Sequence, residues 1–452
     1  MQDQLPTQLY TTIDRFTLES GETLTNATVA FIVRGRLNTQ KTNAVVICHA
    51  LSGSADVADW WSQLLSCPEN PVLDPSRFCL ICCNSLGSPY GSSSPLSVRP
   101  GSASYYGHMF PKTTIRDDAR IQKIVVELLG VRSIYCVIGG SMGGMMALEW
   151  ALLDKHFVQS MVLVATAARQ SPWAIAWSEN QRATIKADSK FRNGRYGDDP
   201  PRDGLAAARM AAMISYRTHS SFEARFGRRR LETYTASNKT LSKVNGTRAP
   251  FAVDVQCSTR DDGHYDKSGI FLAQSYLRYQ GEKFNARFDA NCYLHILDKI
   301  DSHDIARGRY PGLSDDEAML KVLGQIRQRT LVVGVPTDGL YPISEQMFLS
   351  QGLKNAAFAT LQSDDGHDAF VIEGEQLNEL LRSFLGSDPD FRFKVQILTP
   401  NTIIETKAKR KAANPKGSPS QTWPQLMPTR KAKAIPGPAT KLPIPSATEM
   451  SA

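Results

Sequence analysis

The sequence predicts an α/β fold in which helices cover both faces of a mostly parallel central sheet, with a helical segment inserted into it. Three observations carry this. Apolar runs such as AVVIC, FCLICC and IYCVIG show no polar alternation, as strands buried on both faces do. Over the first 168 residues these runs alternate with segments of helical spacing, the βαβ order of a parallel sheet. The strand signal then fades from about Ser171 to Pro311 and returns at Thr330–Val335, so the sheet is interrupted and resumed.

In chain order, β-rich runs place strands at Thr28–Arg34, Ala44–His49 and Phe78–Asn84. A helix is expected over Asp117–Leu129, a strand over Ile134–Gly139, a helix over Gly143–Leu153 and a strand over Ser160–Ala165. The inserted part is read as helices such as Gly204–Tyr216 and Ser275–Phe288 separated by polar stretches. TLVVGV and Ala357–Leu361 resume the sheet, and a helix follows near Glu373–Phe384. The expected organisation is a body at 1–170, a helical insert at 171–315, the rest of the body at 316–386 and a tail at 387–452.

Composition narrows the function classes. With 42% hydrophobic and 21% charged residues, the chain has ample core material. No apolar run reaches the roughly 18 residues of a membrane span, so no membrane association is expected. The start MQDQLPTQLY lacks a secretion pattern, and eight cysteines are too sparse for a disulfide scaffold. A reduced, cytoplasmic setting is expected. Cys79 and Cys82 have C-x-x-C spacing, but residues three apart on a strand face opposite ways. No metal site is expected, because no His, Cys or carboxylate cluster has ligand spacing. Of the net charge of +8, residues 405–452 carry +7, leaving a nearly neutral body and no expectation of nucleic acid. Residues 405–452 also hold eight of the 25 prolines, and the tail is read as disordered. Its KAKRK cluster fits a solvated tail or a patch for nuclear import or an acidic surface.

The sharpest motif is Gly139-Gly140-Ser141-Met142-Gly143, a G-x-S-x-G between an expected strand and an apolar helix. In that setting the serine sits on a strained turn and points its hydroxyl at a helix N-terminus, where peptide dipoles stabilise negative charge. Ser141 is therefore the candidate nucleophile. A serine hydroxyl needs a base, and the base an orienting acid, expected in the order Ser, Asp/Glu, His. Of the downstream histidines only His367, in SDDGHDAF, lies in a Gly-containing loop after a late strand. His303, in DSHDIAR, is its competitor; His156, His219, His264 and His295 read as surface or packing groups. Asp338, at the end of the strand TLVVGV, is the candidate acid, with Asp304 as runner-up. Asp364, Asp365 and Asp368 lie too close to His367 in sequence to be favoured as its orienting partner. Two backbone N–H groups should hold the oxyanion: that of Met142, following the nucleophile, and that of Leu51, in the loop after Ala44–His49.

Further blocks extend these motifs. HALSGSADVADWW, CCNSLGSPYGSSSP, FPKTTIRDDAR, GGSMGGMMALEWAL, QSPWAIAWSENQR, AQSYLRYQGEKFNARFDANCY, TDGLYP and GHDAF occur in this order. Together they resemble the homoserine O-acetyltransferase family in its fungal form, from about Phe16 to Phe384, most weakly between Arg228 and Lys267. The resemblance implies an α/β-hydrolase fold whose inserted helices form a lid. It further implies ping-pong transfer of an acetyl group from acetyl-CoA, a substrate rather than a bound cofactor, to the hydroxyl of L-homoserine for methionine biosynthesis. A homodimer is also implied.

Carried over position by position, the resemblance implies that Arg209 grips the amino-acid carboxylate, with Tyr216 seven residues on in the same cleft. Asp368 would pair with the α-amino group. The threonine usual in the HALTG block is Ser52 here, which keeps a hydroxyl and loses a methyl. The same residues fit other readings. The acceptor could be serine or a secondary-metabolite alcohol, or water in an esterase or thioesterase. Arg209 and Tyr216 also fit an ordinary surface arginine and a lid-packing aromatic. A silent scaffold with a recruiting tail fits least, since Ser141, Asp338 and His367 are all present.

Overall fold

A computed structural model describes residues 8–67, 70–230 and 270–386. Its strands are β1 (Leu9–Thr17), β2 (Thr23–Arg34), β3 (Ala44–Cys48), β4 (Cys79–Cys83), β5 (Ile134–Gly140), β6 (Ser160–Val164), β7 (Arg329–Gly334) and β8 (Ala356–Thr360). They form one sheet in the order β1-β2-β4-β3-β5-β6-β7-β8. All pairings from β4 to β8 are parallel, whereas β2 is antiparallel to both β1 and β4.

The helices are α1 (Val57–Trp60), α2 (Ser62–Ser66), α3 (Ile115–Leu128), α4 (Met142–Leu153), α5 (Pro172–Ala187), α6 (Arg202–Tyr216) and α7 (His219–Arg225), then α8 (Leu272–Asn285), α9 (Ala290–Asp301), α10 (Asp315–Leu323), α11 (Ile343–Gly352), α12 (Ala369–Ile372) and α13 (Gly374–Gly386). The central strands are covered twice. Val46, Ile81 and Val137 pack with α3, α4 and α9, while Val45, Ile47, Leu80 and Ile138 pack with α1, α2 and α13. Neighbours along one strand thus enter different cores, which is why these runs read as uninterrupted apolar stretches. Cys79 and Cys82 fall on opposite sides of β4 in the same way.

Helices α5 to α10 all lie between β6 and β7, and no strand lies there among the described residues, which is where the strand signal is lost. The sequence did not reveal β1. Of its nine residues only Phe16 is buried, because an edge strand paired on one side leaves most side chains in solvent. Antiparallel pairing of β2 with β1 also starts β2 at Thr23, five residues earlier than its apolar core suggests. The tail and His264 lie outside the described residues. No helix among the described residues is long and apolar enough to cross a membrane.

Candidate active site

Strand β5 ends at Gly140 and α4 starts at Met142, so Ser141 alone makes the turn between them. Its backbone has φ 56° and ψ −126°, a strained conformation for a residue with a Cβ. Hydrogen bonds overdetermine it: Ser141 N donates to Val164 O at 2.9 Å, and Thr166 Oγ1 donates to Ser141 O at 2.7 Å. The flanking glycines are required by contact. A Cβ on Gly143 would stand 2.0 Å from Cys48 O, and one on Gly139 2.1 Å from Gly143 O. Hydrogen at Gly139 lets the turn fold back onto α4, and hydrogen at Gly143 lets it press against the end of β3.

His367 arrives from the loop after β8. Its Nε2 accepts the Ser141 hydroxyl at 2.9 Å, and its Nδ1–H donates to Asp338 Oδ2 at 2.8 Å. Asp338 is held in turn, its Oδ1 accepting the amides of Leu340 at 2.8 Å and Tyr341 at 2.9 Å. Rings of Tyr216, Tyr341 and Phe370 surround the imidazole at 5.2–5.8 Å. Burial alone would lower the His367 pKa, but the Asp338 carboxylate, helped by Asp368, outweighs it and raises the value above 6.5. The structure thus brings Ser141, His367 and Asp338 into one buried relay. It leaves the competitors elsewhere. His303 is buried where α9 ends, with burial pushing its pKa down to about 3, and Asp304 Oδ1 accepts the Ala306 amide at 2.7 Å.

A cleft of about 440 Å³ opens over Ser141 and His367. Leu51, Ser52, Arg209, Tyr216 and Asp368 all line it, so one opening gathers these sequence candidates. Met142 is the first residue of α4, and its N–H is one of the helix-start amides without an intrahelical acceptor. Arg209 is stacked on the Tyr216 and Phe284 rings, and its Nη1 is buried with no hydrogen-bond partner among the described residues.

A family model described as alpha/beta hydrolase fold matches residues 43–373. The homoserine O-acetyltransferase FUB5 of Gibberella fujikuroi is 46% identical over 386 residues, covering 85% of this chain and 88% of that protein. The homoserine O-acetyltransferase of Saccharomyces cerevisiae is 42% identical, covering 82% and 85%. The chain belongs to the homoserine O-acetyltransferase family. Among solved structures, homoserine O-acetyltransferase from Bacillus anthracis superposes with a TM-score of 0.70 over 84% of this chain and 98% of that one. At 21% identity that likeness speaks to the fold alone. Esterase E22 superposes with a TM-score of 0.67 at 26% identity, over 84% and 99%.

Membership in this family makes the chain an acyltransferase, and several residues that serve its site were not singled out in the sequence. Arg217, just after α6, donates from Nε to Asp368 Oδ2 at 2.8 Å and from Nη1 to Asp365. Nothing in a lone arginine at a helix end announces a partner about 150 residues away. His49 closes β3: its Nδ1–H donates to Ala50 O at 2.8 Å and its Nε2 accepts the Ser85 amide at 3.0 Å. Burial drops its pKa to about 4, so it stays neutral and pins the turn that carries Leu51. Arg287 Nη2 donates to Ser52 O at 2.9 Å and steadies the next residue of the same turn. The block FNARFDANCY includes this arginine, but a sequence block does not say which carbonyl a guanidinium will find.

Proposed function

We propose that this chain moves an acetyl group from acetyl-CoA to the side-chain hydroxyl of L-homoserine, by a ping-pong route through an acetyl ester on Ser141. The observation that carries the reading is Arg209, which lines the cleft holding Ser141 and His367 and whose buried Nη1 has no hydrogen-bond partner among the described residues. A buried guanidinium with a free donor suits a substrate carboxylate, and an enzyme whose acceptor is water has no use for one. The acetyl and homoserine in the relatives' names support the same choice of substrates.

In the first half-reaction Ser141 Oγ attacks the thioester carbon as His367 Nε2 takes its proton. Asp338 keeps Nδ1–H directed inward and stabilises the imidazolium. The N–H groups of Leu51 and Met142 hold the oxyanion, and the α4 N-terminus adds its dipole. The carbon–sulfur bond then breaks, and the CoA sulfur leaves with the proton from His367. In the second half-reaction the acceptor hydroxyl gives its proton to His367 and attacks the acetyl-serine carbonyl. The ester is released, and Ser141 recovers its proton. Arg209 grips the acceptor carboxylate, and Asp368 offers Oδ1 to the α-ammonium while Oδ2 stays on Arg217. Tyr216 packs beside the imidazole, and the Ser52 hydroxyl faces the acceptor side chain. The helices over the cleft limit the access of water to the acetyl ester.

CoA release should be followed with acetyl-CoA alone, then with homoserine, serine or a bulky alcohol. Release that depends on homoserine and follows ping-pong kinetics is expected. Equally fast release without any acceptor would make the chain a hydrolase, and a preference for serine or the bulky alcohol would replace the acceptor.

A further inference from the structure

Ser141 borders a second space besides the cleft. On the lid side lies a cavity of about 40 Å³ walled by Leu51, Trp177, Leu297, Ile300 and Leu340. Every residue around it is buried or half-buried, whereas the larger cleft is bordered by the exposed Asp59, Lys283 and Val371. No lining side chain of the small cavity carries a formal charge. Several of its polar groups are already engaged: Tyr341 Oη donates to Gln170 at 2.8 Å, Ser215 Oγ donates to Ala212 O at 2.8 Å, and Gln181 accepts from Tyr293 Oη. The exposed part of the wall is therefore mainly hydrocarbon.

We propose that this cavity is the acyl pocket: it receives the alkyl end of the acyl group on Ser141 and restricts it to a short, uncharged chain. The inference rests on the acyl-serine reading above and goes on to specify the acyl group. When Ser141 Oγ bonds to the acyl carbon and the carbon–sulfur bond breaks, the serine proton passes through His367 to the CoA sulfur. The acyl carbon keeps its oxygen and its alkyl chain. Its oxygen is directed to the Leu51 and Met142 amides. The bulky CoA, and later the acceptor, can come only from the side open to solvent. The alkyl chain is left with the small cavity, which shares Leu51, Ser141 and Tyr216 with the cleft.

Size and polarity then set the selection. A single water requires about 10–15 Å³ of such space, so the cavity takes only a few heavy atoms. A methyl or ethyl group fits. A succinyl chain would bring its carboxylate against Leu297, Ile300 and Leu340 with no cation to meet it. Leu297 and Ile300 lie three residues apart on α9, so they present neighbouring side chains to the same wall.

The test is acylation of the full chain by acetyl-, propionyl-, butyryl- and succinyl-CoA without acceptor, read by rapid quench and intact mass. Wild-type acylation is expected to be fast with acetyl and propionyl, about tenfold or more slower with butyryl, and slower still with succinyl. Leu297→Ala and Ile300→Ala should raise the butyryl-to-acetyl rate ratio at least about tenfold and leave succinyl poor. If a truncated variant fails to fold, as checked by thermal melting, the wild-type chain-length order decides by itself. Equal wild-type rates for all four donors, or folded variants with unchanged ratios, would overturn the pocket and leave acyl transfer through Ser141 standing. No acylation by any donor would overturn the acyl-serine reading and the pocket with it.

Discussion

Arg217 bridges Asp365 and Asp368, with its Nε 2.8 Å from Asp368 Oδ2, so that one guanidinium from the end of α6 clamps the loop on both sides of His367. The lid and the base of the relay are thereby one unit. Arg217 also offsets carboxylate charge close to the imidazole, since Asp368 already helps to raise the His367 pKa.

Replacing Arg217 by Met should therefore change two things. Loosening of the loop is expected to lower kcat/KM about 100-fold, the scale of a misplaced catalytic group. The unbalanced carboxylates should also shift the acid limb of the pH–rate profile upward. Arg217→Lys keeps the charge without the fork, so the limb should return while much of the rate loss remains. A rate loss with an unmoved pH profile in both variants would reduce Arg217 to a packing role.

The pH dependence of the relay follows from Asp338. Its carboxylate holds the His367 pKa above 6.5, and Ser141 acylation needs the neutral imidazole. Acylation should therefore rise with pH through a midpoint above 6.5. The raised value also means that protonated His367 stabilises the fold below its unfolded pKa, and that this contribution disappears as pH rises through the folded value. In Asp338→Asn burial prevails and the midpoint should fall. The rate should still drop roughly 10⁴-fold, because the amide no longer fixes the productive tautomer. Stopped-flow acylation across pH measures both.

Arg209 tests the acceptor site. Its free Nη1 should make charge-assisted hydrogen bonds worth about 1.5–3 kcal/mol, so Arg209→Ala should cost roughly 10- to 150-fold in kcat/KM for homoserine. The loss should appear as raised KM and exceed the effect on acylation by acetyl-CoA. Arg209→Lys should restore little, because a single ammonium cannot form a bidentate pair. An unchanged homoserine KM in Arg209→Ala would move the carboxylate site elsewhere.

How much of this was legible follows from which interactions are local. Ser141 could be read because a turn of one residue between a buried strand and a buried helix forces glycine on both sides, and that pattern survives in the sequence. His367 and Asp338 could be read because each follows a strand whose apolar run marks its end. Arg209 and Tyr216 entered only through the family's helix block, since two residues seven apart on a helix have many uses. Arg217, His49 and Arg287 act by reaching carbonyls, amides or carboxylates brought close by the fold, and no spacing encodes those encounters. The edge strand β1 was lost for a related reason: its stability comes from pairing with β2, and its largely exposed residues LYTTIDRFT carry little of the burial pattern that reveals strands.

A buried ion pair anchors the lid to the turn that carries Leu51. Lys299, fully buried on α9, donates to Leu86 O at 2.6 Å and pairs with the buried Asp118. Asp118 Oδ1 accepts the Leu86 amide at 2.8 Å, and the adjacent Ser85 amide holds His49, so the chain of bonds runs from α9 to the Ala50–Leu51 turn. Burial raises the Asp118 pKa even against the pull of Lys299. Lys299→Met would leave that carboxylate unpaired, and a broken buried pair costs about 3–5 kcal/mol. Because a carboxyl with a raised folded pKa loses stability as pH climbs from its unfolded value, the variant should be less impaired near pH 4 than at pH 7. Lys299→Met combined with Asp118→Leu removes both charges and should recover most of the stability. Urea unfolding at the two pH values provides the measurement, and a single variant as stable as the parent at pH 7 would show that the pair is not an anchor.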